Sequence, residues 1–377
     1  MKIKNNIIFS VFDPLFHEYR GFKVACSFEK KGWKSIIIGT KYSNAKLLGW
    51  NNIQTDRIRI FTRLPLFVNM IVFWIKLFMS LMITKADILY SHDIFPLLPV
   101  YLVSKFKRIP FVYDAHEFWH GNSQVENRPL AKWFWTSYER IFIKAAKKVI
   151  TVSDSIAREL ESIYKIDKVK VFTNLPMIKE IPKDRKLLHN SLKLSKDKKI
   201  VLYQGRFLVN NGLDTIVKAF QNVTKKAVLV FVGEGSEKPK LESIINELGM
   251  GDRVFFIGPF PHDELINYTV CADIGLCLIK NSGKSFFYST PNKMFEFIQA
   301  GVPQIASNFP EMTKIVKAYE VGEVIDPENK GLITDTINLM LCDVQKMVKF
   351  KQNCEITRQE LVWDSIEEEL VNYVVNN

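Results

Sequence analysis

Residues 289–307 read STPNKMFEFIQAGVPQIAS. Thr290 and Pro291 set a helix N-terminus, where a proline ring is preorganised and its missing N–H is no loss. The helix runs through Glu296 and stops at Gly301, and an apolar run with the look of a buried strand follows at once. A helix that passes through a glycine directly into a buried strand is one step of a repeating βα architecture. Lys293 and Glu296, three residues apart, share one face near the positive end of this helix. A lysine placed there can neutralise a pyrophosphate, and a carboxylate one turn further on can accept from both hydroxyls of a ribose.

The same alternation extends in both directions. Upstream in the back half, strands are expected at Ile200–Tyr203, Ala227–Val232, Val254–Ile257 and Ile274–Leu278, and downstream at Pro303–Ala306 and Gly322–Ile325. The front half repeats the pattern at Asn6–Phe12, Ser35–Gly39, Arg57–Phe61, Ala86–Ser91, Phe111–Asp114, Lys148–Val152 and Val169–Phe172. Between the two sets, the Pro- and Lys-rich stretch that begins at Met177 has no clear period and reads as a linker. The expectation is therefore α/β, with two Rossmann-like domains: residues 1–175, a linker at 176–195, a second domain at 196–353, and a last helix over 354–377 that returns to the first domain. A chain of 377 residues, 47% of them hydrophobic, is long enough to bury two cores.

Charge separates the halves. Residues 1–175 carry 27 Lys and Arg against 14 Asp and Glu, and residues 176–377 carry 25 against 26. A basic front half suits an anionic membrane leaflet, a lipid pyrophosphate or simple solubility. Nucleic acid is disfavoured, because the basic residues do not interleave with aromatics in any recognised module. The five cysteines, Cys26, Cys271, Cys277, Cys342 and Cys354, show no CxxC spacing. They read as reduced thiols in a cytoplasmic protein. The N-terminus, MKIKNNIIFSVFDP, reads as a first strand rather than a signal peptide.

Leu64–Ile83 (LPLFVNMIVFWIKLFMSLMI) is long enough to span a bilayer and carries one charge. Asn69, Lys76, Ser80 and Thr84 fall on one helical stripe, which argues against a lipid-exposed span and leaves an interfacial or a buried helix.

Other residues with chemical meaning lie at expected strand ends. Gly205 and Arg206 follow a strand, where a parallel sheet binds ligands and a guanidinium fork suits a diphosphate. Gly233 and Gly235 flank Glu234 and would let backbone N–H groups approach a ligand. In the front half, YDAHE ends a strand with Asp114, His116 and Glu117. His116–His120 also fits HExxH, but zinc proteolysis needs that pattern inside a helix, and here it follows directly on a strand.

With these motifs, nearly the whole chain resembles the retaining glycosyltransferases of family 4, which have the two-Rossmann-domain (GT-B) fold. The resemblance implies that Arg206 contacts the diphosphate of a nucleotide-sugar donor and that Glu296 binds its ribose. It further implies that the loop Gly258, Pro259, Phe260 approaches the base, and that His116 faces the transferred sugar. TVSDSIAREL (Thr151–Leu160), VFTNLP (Val171–Pro176) and the terminal VWDSIEEELVNYV match further family segments. Catalytic residues are then expected at His116, Arg206 and Lys293. Donor binding is expected at Arg206, Gly233, Glu234, Gly258, Pro259, Phe260, Thr290, Pro291, Asn292, Lys293 and Glu296. Arg20, Gly21, Asp114 and Glu117 are expected on the acceptor side of a cleft between the domains. No metal and no cofactor beyond the donor substrate is expected, because no Asp-x-Asp motif is present. The acceptor is expected to be a glycan or a lipid-linked molecule. Two departures from the family pattern stand out: Asn211 replaces a basic residue, and Tyr288 replaces the first Glu of a common Glu pair. They leave two alternatives open, a catalytically inactive binding protein and a sugar-nucleotide epimerase.

Overall fold

The computed structural model describes residues 5–14, 19–41, 53–59, 65–123 and 125–376. The chain divides into two compact units. Unit 1 comprises residues 1–174, 283–285 and 363–377, and unit 2 comprises residues 175–282 and 286–362.

In unit 1, seven parallel strands form one sheet: β1 (Asn6–Pro14), β2 (Lys34–Lys41), β3 (Gln54–Arg59), β4 (Ile88–His92), β5 (Phe111–Ala115), β6 (Lys148–Thr151) and β7 (Lys170–Val171). Their spatial order is β3-β2-β1-β4-β5-β6-β7, so the order reverses between β1 and β4. β4 and β5 are buried at every residue, as expected of strands covered on both faces. Among the helices are α1 (Tyr19–Lys30), α2 (Leu66–Ile83), α3 (Leu97–Lys107), α4 (Pro129–Ile143) and α5 (Asp154–Tyr164). Ser153 caps α5, its hydroxyl accepting from the Ile156 N–H.

In unit 2, six parallel strands take the order β10-β9-β8-β11-β12-β13, reversing between β8 and β11. They are β8 (Lys199–Gln204), β9 (Ala227–Val232), β10 (Val254–Ile257), β11 (Ile274–Cys277), β12 (Gln304–Ser307) and β13 (Gly322–Ile325). In each sheet the C-terminal strand ends beside the reversal are where ligands bind in this architecture.

Several boundaries differ from the sequence reading. The third strand begins at Gln54 and is seen to Arg59; residues 60 and 61 of the expected strand lie outside the described residues. The linker stretch is not without structure: Leu187–Ser191 is a helix whose Leu188 is fully buried in the core of unit 2. The boundary expected at 353/354 falls inside a helix, Val344–Glu360, because Cys354 is buried in that same core. The C-terminal segment joins unit 1 from Trp363, where the indole N–H donates to Ser27 Oγ of α1 at 2.8 Å and the helix Glu367–Val375 packs on α1. Arg20 and Gly21, expected on the acceptor side, lie in the first turns of α1 and are buried. On α2 the polar stripe does not form one solvent face, since Asn69 is buried while Lys76 is exposed. No helix among the described residues is long and apolar enough to cross a membrane.

Candidate active site

The residues singled out in unit 2 collect at the C-terminal end of β8. Gly205 leaves the strand with φ of 126°. Gly233, at the end of β9, has φ of 139°, and a Cβ there would lie 2.1 Å from the Gly205 carbonyl oxygen. Only glycine lets these two turns close on each other. Gly235 is held as tightly: a Cβ would fall 2.3 Å from the Phe207 oxygen. Glu234 is exposed between them, and its carbonyl accepts from the Phe207 N–H at 2.7 Å.

The helix Asn292–Gln299 brings its first turn to the same place. Lys293 Nζ lies 3.8 Å from the Tyr203 ring centroid and 3.7 Å from the position a Gly205 Cβ would take. Neither the Lys293 ammonium nor the exposed Arg206 guanidinium has an acidic partner among the described residues. Arg206 uses only its backbone carbonyl, which accepts from Tyr203 Oη at 3.1 Å and Asn211 Nδ2 at 2.7 Å. The Thr290 hydroxyl, just before the helix, is buried with no hydrogen-bond partner. Two unpaired cations, an unsatisfied hydroxyl and a helix N-terminus beside glycine turns make an anion site.

Glu296, one turn along, accepts from Gln204 Nε2 at 2.5 Å and lies 3.2 Å from His262 Nε2. Burial alone would raise its pKa. The His262 hydrogen bond and charge, Gln204 and Lys179 outweigh that and hold it below the usual glutamate value. His262 is not among the residues that the sequence motifs single out. Its link to Glu296 spans 34 positions, and no local pattern announces it. Lys179 reaches His262 in turn, at 3.3 Å to Nδ1, and these residues border a small pocket with Pro176 and Leu265. Phe260 stacks on Tyr268 with centroids 3.8 Å apart, following the Gly258–Pro259 loop that ends β10.

Unit 1 assembles a different kind of cluster at the ends of β4 and β5. Asp114 is fully buried, and Arg20 grips it bidentately, Nε to Oδ2 and Nη2 to Oδ1, both at 3.0 Å. Tyr90 Oη donates to Asp114 Oδ2 at 2.8 Å, and Arg20 Nη1 to the Phe172 carbonyl at 2.9 Å. Arg20 and Asp114, both expected on the acceptor side, form an internal strut within unit 1. Burial would raise the Asp114 pKa, but the Arg20 charge, with His116 and His92, holds it well below the ordinary value. His116, partly exposed, sits over this strut with its Nε2 at 3.0 Å from His92 Nδ1 and 3.5 Å from Asp114 Oδ2. His92 is wholly buried and kept neutral by burial first, then by the His116 and Arg20 charges. Its Nε2 has no hydrogen-bond partner. His92 is therefore hydrogen-bonded through Nδ1 alone, to His116 Nε2.

His92, Asp114 and His116 are the one cluster of metal-ligand type among the described residues. The guanidinium saturating Asp114 would repel a cation, so the group reads as a hydrogen-bonded network. The HExxH pattern is not formed either: Trp119–Gly121 is a single 3₁₀ turn, and His120 Nδ1 lies 2.8 Å from Thr136 Oγ1. Glu117 is exposed and accepts from Asn122 Nδ2 at 2.8 Å.

Comparison with known proteins decides the family. Residues 22–174 match the model described as Glycosyltransferase Family 4, and residues 184–356 match that of Glycosyl transferases group 1. The chain belongs to glycosyltransferase family 4. It is 24% identical over 362 residues to an uncharacterized glycosyltransferase of Methanocaldococcus jannaschii, covering 91% of this chain and 90% of that one. In fold this glycosyltransferase is similar to sucrose-phosphate synthase from Thermosynechococcus elongatus, with a TM-score of 0.83, 17% identity and 98% of each chain covered. It is similar as well to Anabaena HepE solved in complex with UDP-glucose, with a TM-score of 0.79, 16% identity, and 99% and 100% of the chains covered. The two-Rossmann-domain α/β fold and transferase class are therefore those of the family.

Proposed function

We propose that this glycosyltransferase moves a sugar from a UDP- or GDP-sugar to a hydroxyl of a glycan or lipid-linked acceptor in cell-surface polysaccharide synthesis, with retention at the anomeric carbon. The observation that carries the reading is the pair of unpaired cations, Arg206 and Lys293, beside the Gly205 and Gly233 turns at the C-terminal edge of β8. As the bond from the anomeric carbon to the diphosphate oxygen breaks, negative charge gathers on the diphosphate. Arg206, Lys293 and the first turn of the Asn292–Gln299 helix stabilise it there. The acceptor oxygen forms the new bond, and its proton leaves with the diphosphate. Glu296, kept ionised by its neighbours, accepts from the ribose, and Phe260 with the Gly258–Pro259 loop borders the base. His116 acts on the transferred sugar, as the family pattern implies. A fold similar to HepE, which was solved with UDP and UDP-glucose, supports a uridine nucleotide as donor.

A thermal-shift series across nucleoside diphosphates identifies the base, since a ligand bound by the native state alone raises the melting temperature. Calorimetric titration of Glu296→Ala with the preferred nucleotide then tests the ribose contact, with an expected loss of about 1.5–3 kcal/mol. An unchanged dissociation constant in the folded variant overturns the assignment. An altered free sugar nucleotide recovered without acceptor would indicate an epimerase, and nucleotide binding with neither hydrolysis nor transfer an inactive binding protein.

A further inference from the structure

Helices α2, α3 and α4 form one continuous layer on unit 1. Trp74 of α2 stacks on Tyr138 of α4 with centroids 5.9 Å apart, and Tyr101 of α3 packs edge-on against Phe142 of α4 at 5.3 Å. Lys107 of α3 ties the C-terminal end of α2, donating to the Leu81 and Thr84 carbonyls at 2.7 and 2.8 Å. The inward faces are ordinary core: Phe73, Leu77, Val100, Val103 and Phe142 are buried.

The outward faces are not ordinary surface. Along α2, Phe67, Ile71, Ile75, Met79 and Ile83 recur every four residues and are all exposed, Ile83 to 87%. Phe106 of α3 is 75% exposed, and Leu130 and Trp133 of α4 are 84% and 69% exposed. Single exposed apolar residues mean little, but a row of them on three adjoining helices is a patch that seeks a partner. Charge identifies that partner. Across α2, α3 and α4 there is one carboxylate, Glu139, and it is buried, accepting from Tyr113 and Tyr164. Exposed cations on the layer and its flanks include Lys76, Lys105, Arg108, Arg140 and Lys144, with Lys132 half-buried, and Glu126, just before α4, is a half-buried carboxylate. Asp56 of β3 meets the edge of α2, where it accepts from Ser80. A second copy of this face would bring like charges together, whereas apolar residues flanked mainly by cations, with Asp56 the exposed carboxylate at the α2 edge, match an anionic bilayer.

We propose that the α2–α3–α4 face is a docking surface for anionic phospholipid membrane, with Phe106, Trp133 and the α2 row entering the interfacial zone while Lys76 and Lys105 meet headgroups. Docking does not depend on the donor site. The test is co-sedimentation of the full chain with phosphatidylcholine vesicles and with equimolar phosphatidylcholine–phosphatidylglycerol vesicles over a salt series, with glycosyl transfer followed separately. Binding is expected to anionic vesicles alone and to weaken as salt rises, because screening shortens the reach of surface charge. Replacing both lysines, Lys76→Gln with Lys105→Gln, lowers the partition coefficient roughly 30-fold, at about 1 kcal/mol per charge and tenfold per 1.4 kcal/mol. Phe106→Ser with Trp133→Ser weakens binding at every salt concentration. Light scattering is run alongside, and circular dichroism checks each fold. Protein that stays in the supernatant at low salt, equal binding to neutral vesicles, or a dimer that the Phe106/Trp133 variant dissociates overturns the proposal. Were the apolar variant to misfold, the lysine pair alone would decide.

Discussion

The two sheets share a plan and differ in what stands at their C-terminal edges. Both are parallel and reverse strand order once, between β1 and β4 and between β8 and β11. At the edge in unit 1, the guanidinium of Arg20 is locked to Asp114, and the buried ammonium of Lys23 donates to Asn174 at 2.7 Å beneath the Trp363 ring. At the edge in unit 2, Arg206 and Lys293 have no anionic partner among the described residues, and glycine turns bring backbone close beside them. A buried charge satisfied by the protein serves the architecture; a cation with no counter-ion in its own fold serves something that arrives from outside.

The contrast breaks most visibly at Asp114. Asp114→Ala strands the Arg20 charge inside unit 1, and a loss of about 3–5 kcal/mol is expected in denaturant unfolding. A loss under about 1 kcal/mol would mean that Arg20 finds water. Arg206→Ala and Lys293→Ala should do the reverse: stability within about 0.5 kcal/mol of the parent, but kcat reduced on the order of 100-fold, since each removes stabilisation of developing charge. An equal loss of stability would place these cations in the architecture after all. Gly233→Ala tests the glycine closure, and its Cβ clash should cost about 2 kcal/mol or more by thermal melting.

The smallest effect is a slope. The folded His92 pKa is lowered, so the unfolded chain takes up a proton below about pH 6.5 that the folded chain refuses. Stability should therefore fall by up to about 1.4 kcal/mol per pH unit below that point, until the folded value is reached. His92→Asn should flatten the decline. An unchanged slope would remove His92 from the network.

Much of this protein could be read locally. Strand and helix periods located both sheets, and three back-half strands, at Ala227, Val254 and Gly322, have the boundaries expected of them. Gly205 with Arg206, and Lys293 with Glu296, were legible because strand ends and helix starts carry short-range signals: glycine where φ turns positive, proline at a first turn, residues three apart on one face. Whether a charge is free or already paired was not legible. Arg20 and Arg206 look alike in sequence, each beside a glycine, and only the fold sets one against a carboxylate 94 positions away while leaving the other without any. His262 joining Glu296, His92 joining His116, and the outward turn of the α2 row depend in the same way on side chains meeting across long separations in the chain. Periodicity reports which face of an element is apolar; the packing of neighbouring elements decides what that face and its charges touch.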